Sequence, residues 1–346
     1  MSVRELSYGD AISEATVQAM ELDSEVFVMG LGVDDYKGIF GTTLAAHQKF
    51  GNARVIGTPA CENAMTGIAI GAALNGKRPL LVHARNDFMF LALDQLINNA
   101  SKWKYAYAGK SAVPFVTRGI IGRGWGQGPT HSQSIQSVLA HFPGIYVAMP
   151  SSPYIAKGIL MEGLRSSVPV ILLEHRSLYS MKEPVPVKPY MYPFGQGLIV
   201  HPGKDMTVVA TSAMVKEAVK AAHILKKEGI GLEVIDPVSI QPLDEKIILT
   251  SVKKTGYLIC ADTSWASCGF ASEVSALVAE KGFRHLKGPI KRVTLPACPA
   301  PVSRELEEAF YPDYRDIVSS VEELIGRDLK IDLEKYREVD AFKGPY

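Results

Sequence analysis

The sequence predicts an α/β protein made of two parallel-sheet domains, and three observations predict it. Short apolar runs alternate with stretches of helical spacing, one proline-rich run interrupts the series, and the alternation then resumes. In order, the first series reads as a helix at residues 11–20, a strand at 26–31, a helix at 64–74, a strand at 79–83, a helix at 91–102, and strands at 113–117, 145–149 and 169–173. Strands apolar on both faces that alternate with helices indicate a parallel sheet covered on both sides. The run "KEPVPVKPYMY" at 182–192 opens a stretch with four prolines between Pro184 and Pro193, which suits a linker. Beyond it come strands at 207–211, 232–235, 257–261 and 291–295, with helices at 216–228, 245–254 and 271–281 between them. The expected layout is a first domain over 1–185, a linker over 186–203, a second domain over 204–326 and a charged tail over 327–346, expected to pack on a surface or a partner.

A chain of 346 residues, 47% of them hydrophobic, is long enough for two such cores. Its 37 basic and 36 acidic side chains leave a net charge of +1, which gives no reason to expect nucleic acid or an anionic membrane as partner. Cys61, Cys260, Cys268 and Cys298 are far apart in sequence, form no C-x-x-C pair and lie mostly in apolar text, as free thiols in a reducing compartment would. The N-terminus has no apolar signal region and no run reaches a membrane span, so the expected location is the cytoplasm.

The commonest nucleotide and hydrolase motifs are missing. The glycines of "GRGWGQG" at 122–128 have the wrong spacing for a dinucleotide turn, "AGKS" at 108–111 lacks the first glycine of a P-loop, and neither H-E-x-x-H nor G-x-S-x-G occurs. Four other stretches stand out: "TPACENAMTGIAIGAAL" at 58–74, "RNDFMFLALDQLINNASK" at 85–102, "GPTHSQS" at 128–134 and "VPVILLEH" at 168–175. Together with "KEGIGLEVIDPVSIQPLDEKIILTSVKKTGYLI" at 227–259, and in this order, they resemble the β subunit of the thiamine-diphosphate-dependent 2-oxo-acid dehydrogenases, relatives of transketolase. The resemblance runs from about residue 6 to about residue 324. It implies a transketolase-like pyrimidine-binding domain followed by a transketolase C-terminal domain.

The resemblance also implies roles. Glu62 matches the acid that hydrogen-bonds N1′ of the cofactor's aminopyrimidine, and a carboxyl in a dry pocket is suited to sharing that proton. The small residues after it, Ala64, Gly67, Ala69, Gly71 and Ala72, suit close packing that keeps water away. The structural alternative is an acid placed to complement a helix dipole. With Thr58 as N-cap and Pro59 at the first helical position, Glu62 falls one place beyond a capping box. Phe88 matches the aromatic that stacks on the pyrimidine, and otherwise reads as core. His131 matches the histidine facing the reacting carbon, and otherwise reads as a turn or cap residue. The metal-binding Gly-Asp-Gly of the family is absent from this sequence. Thiamine diphosphate would therefore be held at its diphosphate end, through Mg²⁺, by an α subunit in an α2β2 heterotetramer, with a lipoyl acyltransferase as acceptor.

The sequence departs from the family at several points. Leu31 and Gly32 replace an acidic pair, Ile120 and Ile121 precede a "GPTH" turn closer to transketolase, and Ser166–Val168 lack polar groups expected near a potassium ion. "CADTSW" at 260–265 lacks another acidic pair. Most telling are His83 and Arg85, which strand alternation places on one face just before Phe88. Arg85 is either a surface arginine or, with His83 and His131, part of a substrate site that recognises a carboxylate or phosphate. Two alternatives stand beside the dehydrogenase: the β-like half of a carboligase or split transketolase, and a cofactor-free scaffold, against which the Glu62, Phe88 and His131 set argues.

Overall fold

The computed structural model of the chain describes residues 3–123 and 126–337. Its strands, in order, are β1 (Val3–Ser7), β2 (Val26–Gly30), β3 (Val55–Gly57), β4 (Arg78–His83), β5 (Val116–Ile121), β6 (Tyr146–Ala148), β7 (Val170–His175), β8 (Lys182–Pro186), β9 (Leu198–His201), β10 (Met206–Ala210), β11 (Leu232–Asp236), β12 (Ser239–Gln241), β13 (Leu258–Trp265) and β14 (Lys291–Leu295). They fall into two compact units. The first comprises residues 3–123, Thr130–Gly195 and Ser239–Pro242; the second comprises residues 126–129, Gln196–Val238 and 243–337.

In the first unit seven strands run in the order β12-β6-β7-β5-β4-β2-β3, parallel except for the edge strand β12. β5 and β7 are buried along their whole length and β4 from Pro79 onward, as strands covered on both faces must be. The register pairs His83 with Gly119 and Ile121 with His175. Because neighbours in register share a face, His83, Gly119, Ile121 and His175 look to one side, and Arg118 and Glu174 to the other. After β2 the chain first adds β3 on one flank and then β4 on the other, so the order reverses at β2. Crevices at such reversals, beyond the C-terminal strand ends, are where open α/β sheets bind ligands.

The helix Tyr8–Leu22 buries Tyr8, Ala11, Ile12, Ala15, Thr16 and Ala19, a helical stripe, and packs on Pro153–Gly163. Both are capped by serine: Ser7 accepts from the Asp10 backbone N–H and Ser152 from that of Ile155, with Pro153 in the first turn.

Three expectations need correction. The strand read at 113–117 forms later, at Val116–Ile121. The helix read at 91–102 is a 3₁₀ segment (Asn86–Ala92), a π-helical segment (Asp94–Ala100) and a short α-helix (Ser101–Ala106). Here the polar side chains intervene: Asn98 bonds Asp94 at 2.8 Å, and the Asn99 amide reaches the Asp94 carbonyl five residues back at 3.4 Å, the reach of a wider turn. Finally, the proline-rich run is not all linker. β8 pairs antiparallel with β1, setting Pro184 opposite Glu5 and Pro186 opposite Val3. Two residues apart on an edge strand, both prolines can turn their missing N–H away from the partner.

The second unit is a five-stranded sheet ordered β14-β13-β10-β11-β9, with only β9 antiparallel. β9 itself lies within the stretch read as linker. Val208, Ala210, Ala218, Val234, Ile259 and Val318 lie in its core. Leu329, Ile331, Leu333 and Tyr336 of the charged tail pack against that same core, and residues 338–346 of the tail lie outside the described residues. Among the described residues no helix is long and apolar enough to cross a membrane. All four cysteines are free, and the apolar surroundings expected of most of them hold for Cys260 alone, the other three being exposed.

Candidate functional site

Every candidate residue belongs to the first unit and follows the C-terminal end of a parallel strand: Glu62 follows β3, His83 ends β4 with Arg85 and Phe88 after it, and His131 follows β5.

Glu62 is the first residue of the helix Glu62–Leu74, whose N-cap is Cys61 with no side-chain hydrogen bond. The expected cap at Thr58 is therefore not used, and the acid stands in the first turn, where the helix dipole favours a carboxylate. It is half-buried, and its carboxylate makes no hydrogen bond or ion pair among the described residues. The small residues after it do not wall it off. Ala64 is exposed, Gly71 has nothing within 4 Å of its missing Cβ, and Ile68 on the same helix is 62% exposed.

Phe88 and His131 come together, their rings edge to face with centroids 5.2 Å apart. The residues that hold them so are Asn86 and Asp87. Asn86, fully buried, donates through Nδ2 to the carbonyls of Ile120 (3.2 Å) and Gln133 (2.9 Å), and accepts at Oδ1 from the Ile135 N–H (3.1 Å). Asp87 Oδ1 accepts from the Gln133 backbone N–H at 3.2 Å and from its Nε2 at 3.0 Å. These bonds clamp the turn carrying His131 onto the segment carrying Phe88. Burial pushes the Asp87 carboxyl upward, opposed by the bonds from Gln133. The imidazole of His131 bonds Thr130 Oγ1 through Nδ1 at 3.0 Å.

Arg85 is not a surface arginine: it is 6% exposed. It lies within electrostatic reach of Asp87, His175 and Arg176. His83 is 2% exposed and neither ring nitrogen has a partner among the described residues. Burial lowers its pKa to about 4. His175, at the end of β7, is lowered to about 3 by burial first and then by Arg85 and Arg123. Its Nδ1 faces the Ser177 backbone N–H (3.3 Å) and hydroxyl (2.7 Å), so Nδ1 accepts and Nε2 carries the proton. Gly122 makes room for this ring; a Cβ there would lie 2.1 Å from Nε2, and its φ is +77°.

Asn86, Asp87, Gln133 and His175 were not picked out from sequence. The signal was a polar pair wedged between an apolar strand and an aromatic, "RNDF", and it becomes readable only once the "THSQS" turn is known to sit beside it. Among the described residues, no three His, Cys, Asp or Glu side chains are gathered as metal ligands would be.

The sequence matches the family "Transketolase, pyrimidine binding domain" over residues 4–182 and "Transketolase, C-terminal domain" over residues 195–317. It is 39% identical over 335 residues to the acetoin:2,6-dichlorophenolindophenol oxidoreductase subunit β of Bacillus subtilis, covering 93% of this chain and 98% of that one. It is 37% identical over 337 residues to the mitochondrial pyruvate dehydrogenase E1 component subunit β of Ascaris suum, covering 94% and 93%. The solved structure of a split-gene transketolase, an inactive β4 tetramer, shares the fold with a TM-score of 0.74 over 93% of this chain and 98% of that one; at 20% identity that likeness speaks to fold alone.

Proposed function

Because the chain belongs to the transketolase-like β subunits of the thiamine-diphosphate-dependent 2-oxo-acid dehydrogenases, we propose that it is the β half of such an enzyme and transfers an acyl group from a 2-oxo acid to a lipoyl acceptor. The observation that carries this reading is the Phe88–His131 pair, clamped by Asn86 and Asp87. Glu62 and Phe88 fit the aminopyrimidine half of thiamine diphosphate: an unpaired carboxyl group that can share a proton with a ring nitrogen, and a flat apolar face for a flat heterocycle. When bound, the cofactor supplies a nucleophilic carbon and a sink for the electrons left by the departing carboxylate.

This chain's own part is to hold and move protons. Glu62 shares a proton with N1′ of the aminopyrimidine, an exchange that a drier setting strengthens. Since Glu62 is half-exposed in this chain, an α subunit would complete the enclosure. The uncovered strip around Ala64, Ile68 and Gly71 suits a partner's close approach. His131 donates to the oxygen of the reacting carbonyl, where charge develops. The α subunit would hold the diphosphate through Mg²⁺, the assembly would be α2β2, a lipoyl acyltransferase would take the acyl group, and the location would be the cytoplasm.

A second donor, acetoin, comes from the names of two relatives, one from Bacillus subtilis and one from Cupriavidus necator. One experiment tests both donors: the chain coexpressed with its α partner, thiamine diphosphate and Mg²⁺, supplied in turn with pyruvate, branched-chain oxo acids, acetoin and ketose phosphates while dichlorophenolindophenol reduction is followed. Turnover of a 2-oxo acid supports the main reading. Turnover of acetoin alone replaces it with the second, and turnover of ketose phosphates alone overturns both.

A further inference from the structure

Two polar side chains beside the Phe88–His131 pair have no part in the proton handling above, and both are buried without a bond. His83, at the end of β4, is 2% exposed and neither ring nitrogen has a partner among the described residues. Ser132, which follows His131, is also 2% exposed, and its Oγ has no partner among them. Such groups are rare in a protein interior, because each forfeits its hydrogen bond to water. The two belong to one neighbourhood. His83 stands opposite Gly119 of β5, a strand spacing of about 4.8 Å away, and looks to the same face. Asn86 covers Gly119 on that face: a Cβ on the glycine would lie 3.3 Å from Asn86 Cα and Cβ. Asn86 Nδ2 in turn reaches the Gln133 carbonyl at 2.9 Å, and Ser132 is the residue before it. The clamp that fixes His131 therefore also brings Ser132 into the surroundings of His83.

The chemistry of the two groups says what they can recognise. Burial keeps His83 neutral, so its ring offers one N–H and one bare nitrogen, and the serine hydroxyl likewise both gives and accepts. An anion only accepts, and would leave the bare nitrogen unmatched. A hydroxyl accepts from one group and donates to the other.

We propose that His83 and Ser132 form a recognition subsite for an uncharged hydroxyl that the donor carries on the carbon next to its reacting carbonyl, as a 3-hydroxy-2-oxo acid does. The inference deepens, and rests on, the reading of the chain as a β subunit acting on 2-oxo acids with His131 at the reacting carbonyl. Consecutive Cα atoms are about 3.8 Å apart, so a group that meets Ser132 sits close to the carbonyl that meets His131. A donor with a methyl group in place of that hydroxyl leaves both buried groups unpaired, which is how a polar pocket rejects an isostere.

The test uses the assembled α and β subunits with thiamine diphosphate, Mg²⁺ and dichlorophenolindophenol. The donors are hydroxypyruvate and 2-oxobutyrate, which differ only in a hydroxyl exchanged for a methyl. Hydroxypyruvate should have the higher kcat/KM by about tenfold or more. His83→Leu should remove most of that preference, with the melting temperature held because the ring has no bond to lose, and Ser132→Ala should remove part of it. His83→Gln, which keeps one donor and one acceptor, should recover part. Independently of turnover, the ring ¹⁵N signals of His83 should move when hydroxyacetone is added to the assembled protein and stay in place with acetone.

Equal use of the two donors, a preference for 2-oxobutyrate, or a preference for hydroxypyruvate that survives His83→Leu overturns the subsite and leaves the β-subunit reading standing. Should no 2-oxo acid turn over, that reading fails, and the His83 signals then decide the subsite alone: movement with hydroxyacetone but not acetone supports it, and the same response to both overturns it.

Discussion

The two faces of the central sheet in the first unit treat buried charge in opposite ways. On one face Arg118 and Glu174, 1% and 2% exposed, form a two-pronged pair, Nε to Oε1 at 2.5 Å and Nη2 to Oε2 at 2.8 Å. Tyr179 donates to Oε2 at 2.7 Å, Arg118 Nη2 donates to Thr42 Oγ1 at 3.2 Å, and only Arg118 Nη1 is left without a partner. On the other face His83, at the end of the neighbouring strand β4, has no partner among the described residues, and the Glu62 carboxylate, on the helix that follows β3, has none among them either. The charge pair on the closed face is sealed off by the chain itself, whereas the polar groups proposed to meet a ligand are left open beyond the strand ends. The comparison thus separates stability from function by face, and substitutions on each should give opposite signatures.

The largest effect belongs to the open face. Glu62→Gln in the assembled enzyme should reduce turnover by roughly 10²–10⁴-fold, the scale of a lost acid–base group, with assembly intact. Proton exchange at C2 of the cofactor reads this directly, and an unchanged rate would make Glu62 a helix-dipole residue. Next comes the closed face. Glu174→Gln leaves a buried guanidinium without its counter-charge and should cost about 3–5 kcal/mol of stability, measured by urea denaturation of the chain. A loss under about 1 kcal/mol would mean that water reaches the pair.

How far the sequence could be read follows the same division. The inner strands of both sheets and most of the long helices were legible because apolar periodicity is a local property, and β14 was placed to the residue at Lys291–Leu295, but the helices Pro153–Gly163 and Tyr314–Ile325 were not read. The edge strands β1, β3, β8, β9 and β12 were not read either, since each is short and exists only because a partner strand supplies its hydrogen bonds. The segment after Phe88 looked like one helix because its apolar spacing is helical, while the Asp94, Asn98 and Asn99 side chains that open it into a π turn carry no periodicity. In the site, the residue types at 62, 83, 85, 88 and 131 were legible. What sequence could not give was the Asn86–Gln133 clamp between segments 47 residues apart, or the burial of Arg85.

A third test concerns acid. His83 is held neutral by burial, its pKa lowered from 6.5 to about 4. Between those values the unfolded chain binds a proton that the folded chain refuses, so stability rises with pH across this window and falls as pH drops through it. The loss by pH 4 is on the order of 3 kcal/mol for this histidine. His175, lowered to about 3, adds to it with the same sign. Comparing wild type with His83→Leu by denaturation at pH 7 and pH 4.5 should show a smaller pH loss in the variant. Equal losses in the two proteins would place a polar partner on the His83 ring.

The smallest effect is the most selective. Tyr179 is buried, and its hydroxyl, kept protonated by burial and by the Glu174 carboxylate beside it, donates to Glu174 Oε2 at 2.7 Å. Tyr179→Phe keeps the ring, and so keeps its stack on Tyr8 at 5.7 Å and its cation–π contact with Arg176 at 5.1 Å. Only the hydrogen bond to a charged acceptor goes, which should cost about 1.5–3 kcal/mol. Because the Arg118 pair still neutralises Glu174, the loss should fall short of that from Glu174→Gln, and a double variant of Tyr179→Phe with Glu174→Gln should lose less than the sum of the two. Turnover and donor preference of the assembled enzyme should not move, since nothing on the open face has changed. A shift in KM for an anionic donor on Tyr179→Phe would show that the two faces communicate, through Arg176 and its electrostatic neighbour Arg85, and the division between a closed and an open face would then fail.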